Sequence, residues 1–416
     1  MSKVKDPKLA EQGLKNIEFA EREMDALLKV RERFTKEKPL KGVRIGICLH
    51  ITKETAVLIE TLIAGGAEVT ACSCNPLSTQ DDVAAALAKK GIEVYAYKGE
   101  SKEDYYKFLN KVIEFKPQIT IDDGCDLVTE IHSKHKDLIE GVIGGAEETS
   151  TGVIRLRAME KDNALKYPVI AVNDNKTKHL LDNYIGTGQS TIDGILRGTN
   201  ILLAGKNAVV AGYGDCGKGV ALRLRGMGAN VIITEVNPFR AVQAVYDGYR
   251  VMPMDEAAKI GNVFITVTGN KHVIKTEHIS TMKDGAILAN SGHFDVEIDY
   301  SGLKQIALEA REIRPLVEEF TLKNGNKVLV LAQGRLCNLS LAEGHPSAVM
   351  ATSFCGQALA CEYLVKNKGK LPPKVITLPE ELDNEIAGLQ LEALETEIDE
   401  LDQKQIEYLN SWKEST

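Results

Sequence analysis

The stretch Ala208-Val-Val-Ala-Gly-Tyr-Gly-Asp-Cys-Gly-Lys-Gly219 constrains the fold of this chain more than any other. An apolar run enters a G-x-G-x-x-G turn at Gly212, Gly214 and Gly217, and a helical pattern leaves it. Gly212 allows the tight turn, Gly214 lets the backbone approach a pyrophosphate, and Gly217 permits close packing of helix on strand. The helix start then offers its N–H groups and positive dipole end to the anion. The next apolar run, Val231-Ile-Ile-Thr234, ends at Glu235, about 20 residues on, where a carboxylate can bind both ribose hydroxyls of NAD. An acid there would repel the 2′-phosphate of NADP, so the expected cofactor is NAD.

At 416 residues the chain is too long for one typical core, and two large domains are the natural division. With 26% charged residues and a net charge of −8 it has no basic block for nucleic acid. It also has no run of about 18 apolar residues for a membrane, and Met-Ser-Lys-Val-Lys-Asp-Pro at the start lacks the apolar core of a signal peptide. The expectation is a soluble, cytoplasmic protein. Cys48, Cys72, Cys74, Cys125, Cys216, Cys337, Cys355 and Cys361 show no C-x-x-C spacing, which fits buried thiols in a reducing compartment and no metal centre.

Apolar positions from Leu9 to Val30 recur at helical spacing, predicting one amphipathic helix over about residues 6–33. From Gly42 short β runs alternate with helical stretches: Val43–Cys48, Glu68–Cys72, Ile92–Tyr95, Gln118–Ile121 and Pro168–Ala171. The rhythm restarts after Gly205, with strands near 208, 231, 250, 263, 286 and 328, the six strands of a dinucleotide fold. The fold class is therefore α/β, with two tandem doubly wound, Rossmann-like parallel-sheet domains and a cleft between them. We expect a substrate domain over 1–186, completed by a returning segment 345–377, a dinucleotide domain over 187–344, and a C-terminal helical arm over 378–416 that packs subunits.

In open parallel sheets ligands bind beyond the carboxyl ends of strands, which singles out His50, Asp122-Asp123 and Asn173-Asp174. Thr52 or Asp123 could equally be a simple helix cap. Glu147-Glu-Thr-Ser-Thr-Gly152 suits a polyhydroxylated ligand or a solvated turn. Lys178 and Asp182, at i and i+4, face one side of a helix, either as a surface ion pair or as a base that takes a hydroxyl proton during oxidation. His293 and His345 each follow a glycine in a loop of the second half, where an imidazole can move protons or merely shape the loop.

Together these motifs resemble the S-adenosyl-L-homocysteine hydrolase family, from His50-Ile-Thr-Lys-Glu-Thr-Ala56 through Ser78-Thr-Gln-Asp81, Asp122-Asp-Gly124 and Glu147-Glu-Thr149 to Gly212-Tyr-Gly-Asp215, Gly292-His-Phe-Asp-Val-Glu297 and Gly344-His-Pro-Ser347. The resemblance implies reversible hydrolysis of a nucleoside thioether to nucleoside and L-homocysteine, by 3′-oxidation, removal of the C4′ proton, elimination, water addition and re-reduction, with NAD recycled in each turnover and subunits in homotetramers. It implies that Lys178 and Asp182, with Asn183 nearby, serve the 3′-oxidation, that Asp123 takes the C4′ proton and that Glu148 holds the ribose hydroxyls. His50 and His293 would handle protons of the leaving thiolate and entering water, and Thr52, Glu54 and the His345 loop would frame the purine. Thr149, Ser150, Thr151, Glu235, Asn338 and the turn Gly212, Gly214, Asp215 and Gly217 would bind NAD.

The chain departs from the family pattern in places. Thr187 stands where a cysteine is common, Cys216 where valine is usual, and the tail ends Asn410-Ser-Trp-Lys-Glu-Ser-Thr416 without the usual basic and aromatic residues. Lys53 and Glu343 replace apolar residues beside base-binding motifs. If they face the pocket, a donor and an acceptor would suit hypoxanthine, whose O6 accepts and N1–H donates, better than adenine; otherwise they point into solvent. Two rival readings are an NAD-dependent 2-hydroxyacid dehydrogenase and a non-catalytic regulatory paralogue. The first would place its catalytic residues inside the dinucleotide half, and the second does not need Lys178, Asp182, His50, Asp123 and His293 intact.

Overall fold

The computed structural model describes residues 2–413, which form fifteen strands in two sheets. In the first half lie β1 Arg44–Cys48, β2 Glu68–Cys72, β3 Glu93–Tyr95, β4 Ile119–Asp122, β5 Gly144–Glu147 and β6 Val169–Ala171. The second half contributes β7 Asn207–Ala211, β8 Asn230–Thr234, β9 Arg250–Val251, β10 Val263–Thr266, β11 Ala286–Asn290, β12 Glu309–Arg314, β13 Val317–Thr321 and β14 Lys327–Leu331. β15 Val375–Ile376 then returns to the first sheet.

The first sheet runs β15-β6-β5-β4-β1-β2-β3 with every pairing parallel. Helices cover both faces, so its strands are continuous apolar runs; Ile45, Ile47, Ile119 and Ile121 are fully buried. β5 escapes a reading by β propensity because it is Gly-Gly-Ala-Glu. Its glycines are needed for closeness: a Cβ on Gly144 would lie 2.6 Å from Leu364 Cδ2, and one on Gly145 2.6 Å from Thr120 Oγ1.

The expected N-terminal helix is two helices, Ala10–Glu21 and Asp25–Glu37, after a short turn at Pro7–Leu9. The break buries Met24 completely, beside Leu27, Val30 and Phe34 of the same core. The first helix crosses Asp81–Lys89 so tightly that a Cβ on Gly13 would lie 2.0 Å from the carbonyl oxygen of Asp82.

In the second sheet β14-β11-β10-β7-β8-β9 are parallel, in the order of a dinucleotide-binding fold. A hairpin that the parallel rhythm does not announce, β12 and β13, extends this sheet antiparallel beside β14. β12 is exposed at every position and reads Glu-Ala-Arg-Glu-Ile-Arg, a charged edge that resists pairing with another chain.

The chain returns to the first core through the helix Ser347–Lys366, which is long and apolar enough to cross a membrane. Here that surface is used inside the protein: Ala351, Cys355, Ala358, Ala360 and Leu364 are buried in the first-sheet core. The next helix, Glu380–Ala393, docks on its own chain rather than projecting as an arm. Ile386 is fully buried, and Asp383 accepts the backbone N–H of Lys176 at 2.6 Å, that of Thr177 at 3.3 Å and the Thr177 hydroxyl. The helical period expected through Ile398 and Leu401 stops at Ala393, and helix resumes only at Gln403–Leu409.

Candidate active site

Each sheet reverses its strand order at one place, and the side chains beyond those places face a common cleft. In the first sheet the reversal lies between β1 and β4, so His50 and Asp123 flank it; in the second it lies between β7 and β10, where the glycine turn and Val267-Thr268-Gly269 emerge. The cleft between them holds about 1460 Å³ of empty space and is lined by residues of both halves.

One group gathers on Asp123. His50 Nε2 lies 3.3 Å from Asp123 Oδ2, and His293 Nδ1, reaching over from the second half, lies 3.3 Å from Oδ1. His293 fits because residue 124 is glycine: a Cβ there would be 2.2 Å from His293 Nε2, and the backbone at Gly124 is left-handed, φ 104°. Burial pulls His50 down to about 4 against the Asp123 carboxylate, so its ring is neutral near pH 7. Its Nδ1 meets Ser78 Oγ at 2.7 Å. Ser78 Oγ in turn donates to the Asn75 carbonyl oxygen at 3.1 Å. Cys74 adds a third potential metal-ligating atom within 4.8 Å of those on His50 and Asp123.

A second group gathers on Lys178. It opens a nine-residue π-helix, Lys178–Gly186, where sequence spacing suggested an ordinary helix. Lys178 Nζ donates to Asp182 Oδ2 and lies 2.9 Å from Glu148 Oε1, all three side chains being buried. The other Asp182 oxygen is bonded to His345 Nδ1, and His345 Nε2 lies 3.3 Å from Thr187 Oγ1. The loop that carries His345 lines the cleft through Glu343 and Gly344, while its imidazole lies on Asp182. Burial draws His345 down to about 3, so it is neutral and donates through Nδ1. Asn183 Nδ2 donates to Asn173 Oδ1 at 3.0 Å.

Of each adjacent acidic pair, one member faces the cleft and the other holds the backbone. Asp122 accepts from the N–H groups of Asp123 and Val128, and Glu147 from those of Gly124 and Thr149. Burial pushes Asp122 up to about 7 and Glu147 well above the usual carboxylate range. Glu148, the partner that faces the cleft, is bonded by Ser353 Oγ and by Gln357 Nε2 at 2.5 Å. Nothing in the sequence spacing marks Ser353 or Gln357, which come from the returning helix more than 200 positions away.

At the rim, Thr52 caps the helix Lys53–Ala64 as well as lining the cleft. Glu54 accepts from Ser347 Oγ at 2.7 Å. Lys53 and Glu343 take neither of the expected orientations alone: they bond each other at 3.0 Å. Lys53 also lies 3.2 Å from Glu54, and Arg197 holds the other Glu343 oxygen at 3.1 Å. Thr187 and Cys216, the two departures from the usual pattern, are in contact, Oγ1 to Sγ 3.5 Å.

A model described as S-adenosyl-L-homocysteine hydrolase matches residues 1–139, and one described as the NAD binding domain of S-adenosyl-L-homocysteine hydrolase matches residues 183–344. The chain belongs to the S-adenosyl-L-homocysteine hydrolase family. It is 58% identical to an adenosylhomocysteinase of Sulfolobus acidocaldarius over 414 residues, covering 100% of this chain and 99% of the relative. It is 59% identical to an adenosylhomocysteinase of Aquifex aeolicus, covering 99% of each. An S-inosyl-L-homocysteine hydrolase of Methanocaldococcus jannaschii is 56% identical over 416 residues, the full length of both chains.

The NAD-binding domain of this family member has the features that a dinucleotide needs. Gly212 has φ 106°, and a Cβ on Gly217 would lie 2.1 Å from the Gly212 carbonyl oxygen, so strand, turn and helix close up only with glycine. The helix Asp215–Gly226 starts at Gly214 with no side-chain cap, leaving its first N–H groups for an anion. Arg240, which sequence reading passed over, lines the cleft with them. Glu235 is aimed by the N–H groups of Tyr213, Val236 and Asn237 at 2.7–2.9 Å. Burial raises its carboxyl, but these three bonds outweigh that and leave it below the ordinary value, hence ionised. Thr149, Ser150 and Thr151 line the opposite wall. Asn338 donates to Ser190 at 3.1 Å and keeps a buried Oδ1 with no donor, an acceptor ready for an amide N–H.

Proposed function

We propose that this enzyme reversibly hydrolyses the thioether of an S-nucleosyl-L-homocysteine to the nucleoside and L-homocysteine. The observation that carries the reading is the presence, in one cleft beside the glycine turn, of two separate proton-handling groups: Lys178 between two carboxylates, and Asp123 between two imidazoles. Bound NAD would supply reversible oxidation at C3′, which makes the C4′ proton acidic and lets a poor thiolate leaving group depart. Glu148 binds the ribose hydroxyls. Lys178 and Asp182 hold and move the proton at O3′, with His345 fixing Asp182. Asp123 accepts the C4′ proton, and His50 and His293 carry protons to the departing sulfur and from the entering water. Thr149, Ser150, Thr151, Asp215, Glu235, Asn338 and the glycine turn hold the dinucleotide.

In this reading residues 1–186 with 345–377 hold the nucleoside, 187–344 hold NAD, and the tail serves subunit packing in a cytoplasmic homotetramer. Exposed apolar side chains at Phe239, Tyr246, Ile406, Leu409 and Trp412 support such packing.

For the base, the Arg197–Glu343–Lys53–Glu54 chain favours a 6-oxo purine. Lys53 can donate to O6 and a neighbouring carboxylate can accept N1–H, whereas adenine presents the reverse pattern. The test is thiol release from S-inosyl- and S-adenosyl-L-homocysteine side by side. Glu343→Met is expected to lower kcat/KM for the inosyl substrate by about tenfold to a hundredfold more than for the adenosyl one. Equal losses would remove Glu343 from base recognition, and no thiol release from either substrate would refute the hydrolase reading.

A further inference from the structure

The returning helix Ser347–Lys366 does more than fill the first core. From one face of it Ser353 and Gln357, four residues apart and both fully buried, reach the two oxygens of Glu148. Ser353 Oγ donates to Oε1, which also receives Lys178 Nζ at 2.9 Å, and Gln357 Nε2 donates to Oε2 at 2.5 Å. Gln357 Oε1 has no donor in reach, so the amide makes this bond and no other. A buried carboxylate is costly unless its oxygens are met, and here two hydrogen-bond donors and a paired ammonium, from two elements, meet them.

We propose that Gln357 and Ser353 are positioning residues that hold Glu148 aimed at the ribose hydroxyls, and that through Glu148 they set the place of Lys178. The inference rests on the ribose-binding reading of Glu148 given above. It makes the returning segment part of the site rather than a structural strap. Charged or titratable groups facing Glu148 are Lys178 directly, and Asp182 and His345 behind it.

Gln357→Glu is close to isosteric and turns the idea into a pH profile. A protonated Glu at 357 can still donate to Glu148; once it ionises, two carboxylates face each other. The variant should bind nucleoside and support nucleoside-driven reduction of bound NAD nearly as wild type does at low pH. Both should fall by about ten- to a hundredfold as pH rises, a limb that wild type lacks. Gln357→Leu and Ser353→Ala should show the loss at every pH. Nucleoside affinity is read by calorimetry with inosine and adenosine, and reduction by absorbance. Superimposable pH profiles for the variant and wild type in both readouts would overturn the proposal, as would unchanged nucleoside affinity in Gln357→Leu. Should wild type fail to reduce its cofactor, the catalytic reading fails, and the calorimetric profile still decides the positioning claim.

Discussion

Glu100 shows what a buried carboxyl does in this protein without the donors that Glu148 enjoys. It is only 5% exposed, and burial pushes it up to about 8 against the pull of one backbone N–H at Tyr97. In the unfolded chain it titrates near 4.5, so between 4.5 and 8 the folded state binds more protons and stability falls as pH rises. Glu100→Gln removes that penalty. The gain in Tm over wild type should be small below pH 4.5, widen up to about pH 8 and then level off; a gap independent of pH would contradict this. At this scale position after a strand singles out His50, but leaves Asp123 a possible helix cap and Glu148 a possible solvated turn, and it gives no mark to Thr268 or Ser291, which also line the cleft just beyond strand ends. It could not announce Ser353 or Gln357, which are ordinary polar residues until the fold sets them against a partner, nor that Lys53 and Glu343 would bond each other.

The π-helix Lys178–Gly186 is the element on which the two halves meet. It packs on the helix Asp215–Gly226 through a seam without side chains: a Cβ on Gly219 would lie 1.8 Å from the Tyr184 carbonyl oxygen, and one on Gly188 2.7 Å from the carbonyl carbon of Gly219. That seam ties the start of the phosphate-binding helix to Lys178. Gly219→Ala should therefore cost about 1–3 kcal/mol by overpacking, measured by urea unfolding. Nucleoside-driven cofactor reduction in the folded variant should fall at least about tenfold, since small misplacements of a positioned base are expensive. Retained stability with a normal reduction rate would show that the seam has slack. Elements with a strong apolar signal were legible: the six parallel strands of the second sheet and the strands that lead into His50 and Asp123 follow from short continuous apolar runs between helical stretches. Those without one were not. β5 is half glycine, β12 is charged at four of its six positions, the break before Met24 is invisible to a 3.6-residue period, and a π-turn has no sequence signature of its own.

At the scale of the whole molecule, two doubly wound sheets turn their reversal points toward one cleft, and the titratable side chains that line it come from both. His293 crosses from the second half to Asp123, and the helix Ser347–Lys366 crosses back to Glu148. In the proposed reaction a nucleoside and a dinucleotide would share this cleft, as chemistry needing an oxidation and its reversal within one turnover demands. A dehydrogenase of the same architecture would release its reduced cofactor; this enzyme should not. The most direct measurement follows thiol release and absorbance of reduced cofactor together, on purified protein with no added NAD. Many equivalents of thiol per subunit are expected with no accumulation of NADH beyond the bound cofactor, and one equivalent of NADH formed for each product would refute internal recycling of the cofactor.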